Sequence, residues 1–173
     1  MSIKGIVYAS LFGALTAAGA FIVIPLPPVP ITAQTFFLNL AAVLLGGSLG
    51  AVSQFIYVML GVVGIPVFSG GKAGIGVIFG PTGGYLLGFI IAAFVTGKIA
   101  GAKKGAGIFR YIFAMLTGMG IIYCLGITQL ALVAKISFQK ALAIGVLPFI
   151  PGDIIKILLA AIISSRLKGH IKV

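Results

Sequence analysis

A carboxylate and an ammonium three residues apart, Asp153 and Lys156, are the pair in this chain whose types and spacing best suit chemistry. On a helix, positions three apart share a face, so the two charges can meet. They stand in Pro148-Phe149-Ile150-Pro151-Gly152-Asp153-Ile154-Ile155-Lys156, and the apolar run Ile157 to Ile163 follows. Asp153 is the one acidic residue of the chain. An ionised group inside an apolar segment is costly unless paired or facing a cavity, which marks this pair as a candidate ligand site. A structural reading stands beside it. Asp153 can cap a helix that opens after Pro151-Gly152, with Lys156 snorkelling to the membrane interface.

The remaining inventory excludes most catalysis. One acid and one histidine, His170, supply no carboxylate pair, no metal site of ordinary type and no catalytic triad. An enzyme, a cofactor and a metal are therefore not expected. Gly70-Gly71-Lys72-Ala73 faintly echoes a phosphate-binding loop. Pro66 occupies the place of the required upstream glycine, and Ala73 replaces the hydroxyl residue that would hold magnesium. Any ATP hydrolysis must then come from another subunit.

Two neutral segments have the makings of binding walls. Pro30-Ile31-Thr32-Ala33-Gln34 carries a hydroxyl and an amide. Phe68-Ser69-Gly70-Gly71 and Pro81-Thr82-Gly83-Gly84-Tyr85 let the backbone approach a ligand closely, because glycine has no side chain to hold it away. The alternative is that these glycines serve only tight turns and helix packing.

The elements that position these residues must be membrane helices. Apolar residues make up 61% of the chain and charged residues 8%, and mean hydropathy is +1.30. Soluble domains carry about 25% charged residues, so this composition cannot cover a water-facing surface. The apolar runs are continuous and lack the alternation of barrel strands, which implies an all-α integral membrane protein. Cys124 reads as a small packing residue.

Breaks at Gly, Pro and Lys divide the chain into six spans: about Ile6 to Ile24, Thr35 to Leu45, the stretch after Gly50 to Gly64, Tyr85 to Ile99, Tyr111 to Val133, and Asp153 to Ser165. Pro25-Leu26-Pro27-Pro28-Val29-Pro30 reads as an extended connector. Spans two and six fall short of the ~20 residues a crossing needs, so connector backbone must lie at membrane depth, buried in protein or lining a cavity. Lys4 and the apolar run to Ala18-Gly19-Ala20 have the outline of a cleavable signal. The run continues through Ile24, which suits a span instead. Residues 1–173 form a single transmembrane domain.

With six spans, one side holds Lys4, Lys98, Lys103, Lys104, Arg110, Arg166, Lys168 and Lys172, and the other Lys72, Lys135 and Lys140. Eight against three places both termini in the cytoplasm. The net charge of +11 then reads as topology and attraction to the lipid bilayer, not as nucleic-acid binding.

Taken together, Pro-Pro-Val-Pro-Ile-Thr-Ala-Gln (27–34), Tyr57 to Gly61, Gly64 to Phe68, Pro-Thr-Gly-Gly-Tyr (81–85) and Pro-Gly-Asp with Lys156 resemble the BioY family. These are the biotin-specific substrate-capture (S) components of energy-coupling-factor (ECF) transporters. The resemblance implies an ECF S-component-like bundle of six transmembrane helices in the cell membrane. It also implies a transmembrane coupling (T) subunit and two ABC-type ATPase subunits as partners, and Asp153 and Lys156 as contributors to the biotin site. Gln34, Ser69 and Tyr85 are expected to add polar contacts and Phe68 and Tyr85 to cover the ligand's bicycle; Lys72, which like Lys135 and Lys140 departs from the family pattern, is expected at the outer mouth as a carboxylate partner or a steering charge. The small-xxx-small pair expected to face the coupling subunit is Ala14 and Ala18, with Ala9, Gly13 and Ala17 adjacent. For these alanines, close packing within the bundle is the alternative. For the whole chain, it is a stand-alone facilitator or a proton-coupled carrier of a small vitamin.

Overall fold

The computed structural model describes residues 2–101 and 107–169. Lys103, Lys104, His170 and Lys172, assigned above to one side of the membrane, lie outside the described residues. The elements run α1 (Ile3–Gly19), β1 (Val23–Ile24), β2 (Ile31–Thr32), α2 (Gln34–Leu45), α3 (Gly47–Val62), α4 (Gly83–Gly101), α5 (Ile108–Ala134), α6 (Phe138–Gly145) and α7 (Ile150–Leu167). A 3-10 turn at Ile75–Val77 and another at Leu147–Phe149 shape the connectors.

The packing is that of a bundle in lipid. Many fully enclosed positions are small, such as Ala9, Ala41, Ala42, Ala92, Ala93, Ala160 and Ala161, beside a few large ones such as Tyr57, Leu38 and Met115, while Val7, Leu11, Phe113, Leu116, Ile155 and Leu159 face outward. Lipid gives large apolar side chains no reason to turn inward, and helix contacts favour residues that let backbones approach. Cys124 corrects its expectation on the same ground. It lies exposed on the outer face of α5, where an apolar thiol is as well solvated by lipid as by protein.

The first span is shorter than expected. α1 starts with the Ser2 hydroxyl capping the Gly5 N–H at 3.0 Å and stops at Gly19 instead of Ile24. The proline-rich stretch folds the chain back, so Val23 and Ile24 pair antiparallel with Thr32 and Ile31. The Ala33 N–H donates to the carbonyls of both Gly19 and Ile22, at 3.1 Å each. Backbone groups that a longer helix would have satisfied internally are thus satisfied across a ribbon. At the other extreme, α7 opens at Ile150, three residues before its expected start, with Pro151 in its first turn. α6 was not anticipated, although Ser137 announces it by capping the Lys140 N–H.

Stretches of the length and apolar character needed to cross a membrane are Gly83–Gly101, Ile108–Ala134 and Phe138–Leu167, while α1, α2 and α3 have 17, 12 and 16 residues. The shorter helices leave room at one end of the bundle. There the ribbon, residues 63–82 and residues 135–149 fold over the helix ends. At the opposite end α2 and α3 turn on Gly46 (φ +84°), and Arg110 Nε donates to the Ile99 carbonyl at 2.7 Å, tying α5 to α4. Lys168 follows α7 at that end, 5.3 Å above the Tyr111 ring, and burial lowers the pKa of its ammonium.

Candidate functional site

Under the three connectors lies a cavity of about 670 Å³, counting its open mouth. Its walls come from five parts of the chain: Pro30, Thr32 and Gln34 at the ribbon, Phe68, Ser69 and Lys72 in the glycine loop, Tyr85 and Phe89 on α4, Tyr123 on α5, and Phe149 before α7. The lining is mostly apolar and aromatic.

The glycine loop is a tight hairpin. The Gly71 N–H donates to the Phe68 carbonyl and the Phe68 N–H to the Lys72 carbonyl, both at 3.0 Å. Gly70 and Gly71 have φ of +75° and +72°, a region that side chains resist. The turn drives Phe68 into the protein, where it is 2% exposed and its ring lies edge-on to Tyr57 with centroids 5.8 Å apart. The ring occupies the slot left by the missing side chain of Gly61. Ser69 is left at the cavity wall, its Oγ buried and without a hydrogen-bond partner among the described residues. Lys72 is exposed at the mouth, and among the described residues it is the one cation lining the cavity.

Each connector is fastened by one side chain reaching a backbone carbonyl. Lys156 Nζ donates to the Thr32 carbonyl at 2.9 Å and holds the ribbon. Gln129 Nε2, from α5, donates to the carbonyls of Ile78 and Gly80 at 2.7 and 2.8 Å and holds the 63–82 loop. The Tyr85 hydroxyl donates to the Gly145 carbonyl at 2.9 Å and holds α6. Backbone carbonyls in irregular segments at this depth need such donors, because lipid offers none.

The ionic pair forms as its spacing predicts. Lys156 Nζ lies 2.5 Å from Asp153 Oδ1 and also donates to Thr35 Oγ1 at 2.8 Å. Thr35 in turn donates to Asp153 Oδ1 at 3.3 Å, and the Tyr123 hydroxyl donates to Asp153 Oδ2. The capping alternative does not hold. α7 has no side-chain cap, and the Asp153 carboxylate turns instead to three side chains of α2, α5 and α7. Nor does Lys156 snorkel outward, since its three hydrogens all have inward partners. On the ribbon side the network continues from Thr32 Oγ1 to Gln34 Oε1 at 2.9 Å, and from Gln34 Nε2 to the Tyr57 hydroxyl.

Of the candidate site residues, Gln34, Phe68, Ser69, Lys72 and Tyr85 thus meet on one cavity wall, while Asp153 and Lys156 stand just behind it. Ala14 and Ala18 do not line the cavity. They lie on the outward face of α1, and Ala9, Gly13 and Ala17 face the bundle, so close packing inside the protein is not their role here. Sequence reasoning missed Tyr123, Tyr57, Thr35 and Gln129. A hydroxyl or amide on an apolar helix was a visible sign for each, but its direction was not.

The sequence matches the BioY family over residues 1–172. A protein of Thermotoga maritima named biotin transporter BioY is 44% identical over 165 residues, covering 95% of this chain and 96% of that protein. One of Pyrococcus horikoshii named probable biotin transporter BioY is 45% identical over 170 residues, covering 98% and 99%. The fold matches the crystal structure of an S-component for biotin from an ECF-type ABC transporter. That match has a TM-score of 0.88 and 30% identity, over 96% of this chain and 92% of that one.

Proposed function

The chain belongs to the BioY family, and from that premise we propose that it captures biotin in the cell membrane as the S component of an ATP-driven ECF importer. It is a transport component and not an enzyme. One observation carries the reading: a single apolar cavity gathers Ser69, Gln34 and Lys72 on its wall and has a paired carboxylate, Asp153, immediately behind it. Biotin presents an apolar bicycle and chain, two ureido N–H donors, a ureido carbonyl and a carboxylate. Phe68, Tyr85 and Phe89 pack the bicycle, since the Tyr85 hydroxyl is already spent on Gly145. Ser69 Oγ, free of other partners among the described residues, and Gln34 take polar atoms of the ligand. Lys72 meets the carboxylate at the mouth. Asp153 supplies the negative charge that answers the ureido donors, and Lys156 holds that carboxylate in place.

The coupling subunit docks on Ala14 and Ala18, which leave a shallow outward face on α1, and two ABC-type ATPases act through it. Among the described residues, Lys4, Lys98, Arg110, Arg166 and Lys168 lie at the end bearing the termini, against Lys72, Lys135 and Lys140 at the cavity end. That asymmetry supports cytoplasmic termini and a cavity loaded from outside.

Calorimetric titration of the detergent-purified chain with biotin, and with thiamine and riboflavin as controls, tests the substrate. Selective biotin binding near one per chain is expected. A folded sample that ignores biotin would end the assignment. Ala14→Trp tests the partner face: uptake in cells with the full transporter should be lost while biotin binding by the purified variant is retained.

A further inference from the structure

Between α5 and α7 the chain makes a hairpin that the biotin reading leaves unused. α5 ends at Ala134, Lys135 closes it, and Ser137 caps α6. α6 packs back along α5, so that a β-carbon added at Gly145 would lie 3.0 Å from a Leu130 methyl and 3.4 Å from an Ile127 methyl. Ala141 and Gly145 form its buried inner face, and the Tyr85 hydroxyl holds the Gly145 carbonyl from within. That fixes which sides of α6 face out. Phe138 and Leu142, four residues apart, share one flank and are 55% and 39% exposed. Lys140, two residues from each, is exposed on the opposite flank. An apolar flank with a cation across from it suits a helix seated at a lipid–water boundary. The apolar surface also continues into the neighbouring helices: Leu132 and Val133 precede the hairpin, Leu147, Ile150 and Ile154 follow it, and all are exposed.

Lys135 adds an independent observation. Its φ is +52°, among the described residues the one positive value outside glycine. Helices commonly close on glycine in this conformation, because a side chain resists it. A lysine held where glycine fits better points to a use for its charge. The side chains of this protein offer that charge no counterion, since Asp153 is the one acidic residue and is paired with Lys156. Neither the Lys135 nor the Lys140 ammonium has a partner among the described residues. We propose that the α5–α6 hairpin is a docking site for anionic phospholipid, with Phe138 and Leu142 among the acyl chains and Lys135 and Lys140 on the headgroup phosphates. Apolar contact sets the depth of the hairpin, and the two lysines select the headgroup.

The chain has no tryptophan, so Leu142→Trp places a single one on the apolar flank. The full chain carrying it is reconstituted in mixed phosphatidylglycerol and phosphatidylcholine, with bromine on the acyl chains of one lipid or the other. Both brominated lipids should quench the fluorescence. Phosphatidylglycerol should be preferred by at least about threefold, since each lysine near an anionic surface can supply roughly fivefold. Adding Lys135→Gln and Lys140→Gln should bring the preference to within about 1.5-fold of even. A second reporter, Phe113→Trp, lies on the outward face of α5 toward its opposite end, and its preference should not change with the lysines. General misfolding would alter both reporters. Lys135→Gly suits the local backbone, so it should unfold no earlier than wild type while still losing part of the preference. A Leu142→Trp reporter that neither lipid quenches would overturn the proposal. So would equal preference for the two lipids, or a full preference kept by the lysine variants. A preference abolished by inorganic phosphate, but not by sodium chloride of the same ionic strength, would also overturn it and assign the lysines to free phosphate.

Discussion

The two ends of this bundle solve opposite problems with the same six crossings. At the end bearing the turn at Gly46, α2, α3 and α4 converge until backbone touches backbone. A β-carbon added at Gly97 would sit 2.6 Å from the Ala42 carbonyl oxygen, and one at Gly50 would sit 2.9 Å from Ala42 Cα. At the cavity end Phe68, Tyr57, Tyr85 and Phe89 hold open a gap roofed by irregular chain, although α4 and α5 still touch there, a β-carbon added at Gly84 sitting 2.3 Å from the Leu125 carbonyl oxygen. Small residues close one end through dispersion and close approach. Aromatics hold the other open, and a side chain reaches the backbone carbonyls of each roof segment. The closed end is therefore sensitive to volume, and the open end to individual hydrogen bonds as well.

The comparison breaks most visibly at the closed end. Gly97→Ala places a methyl group against rigid backbone, where nothing flexible can give way. A loss of at least about 3 kcal/mol is expected, at the upper end of overpacking costs. Thermal unfolding in detergent checks it, and a variant as stable as wild type would show that the helices can separate there at little cost.

At the open end the largest effect should come from Asp153→Asn. The shape is kept and the charge removed, so biotin affinity should fall roughly 10- to 100-fold, the range of a charged hydrogen bond at about 1.5–3 kcal/mol. Folding should suffer less than in Gly97→Ala. Titration with biotin measures the first and unfolding the second. Unchanged affinity would remove Asp153 from the site.

A smaller effect sharpens the contrast. Gln129→Ala removes two hydrogen bonds from the 63–82 loop and touches no cavity wall. Biotin should dissociate several-fold faster, with thermal stability lowered by only about 1–2 kcal/mol, since each neutral bond contributes about 1 kcal/mol. Stopped-flow displacement of labelled biotin reads the rate. An unaltered rate would mean that the loop is held by Phe68 in its slot at Gly61 and not by the glutamine.

Much of this was legible in local sequence. The three-residue spacing of Asp153 and Lys156 predicts their contact, because helical geometry alone brings them together. The glycines at 70 and 71 are legible as a tight turn, and the structure closes it by pairing Phe68 with Lys72. The proline cluster predicts a break after the first helix, although the extent of α1 was overestimated. An apolar run reads equally well as the last turn of a helix or as one edge of a ribbon until its partner strand is known.

Composition and hydropathy by themselves determined that the chain crosses a membrane as helices, since so few charges cannot cover a water-facing surface. Motif order brought Gln34, Phe68, Ser69, Tyr85 and Asp153 forward as one candidate set. Only the tertiary structure decided which atoms face the cavity. Asp153 and Lys156 lie beside Tyr123 and off the cavity lining, and the Tyr85 hydroxyl is spent on Gly145. The physical reason is that a side chain's hydrogen bonds are limited in number and directional. Whether a polar group is free for a ligand depends on what the other helices have already claimed, and no local stretch of sequence records that.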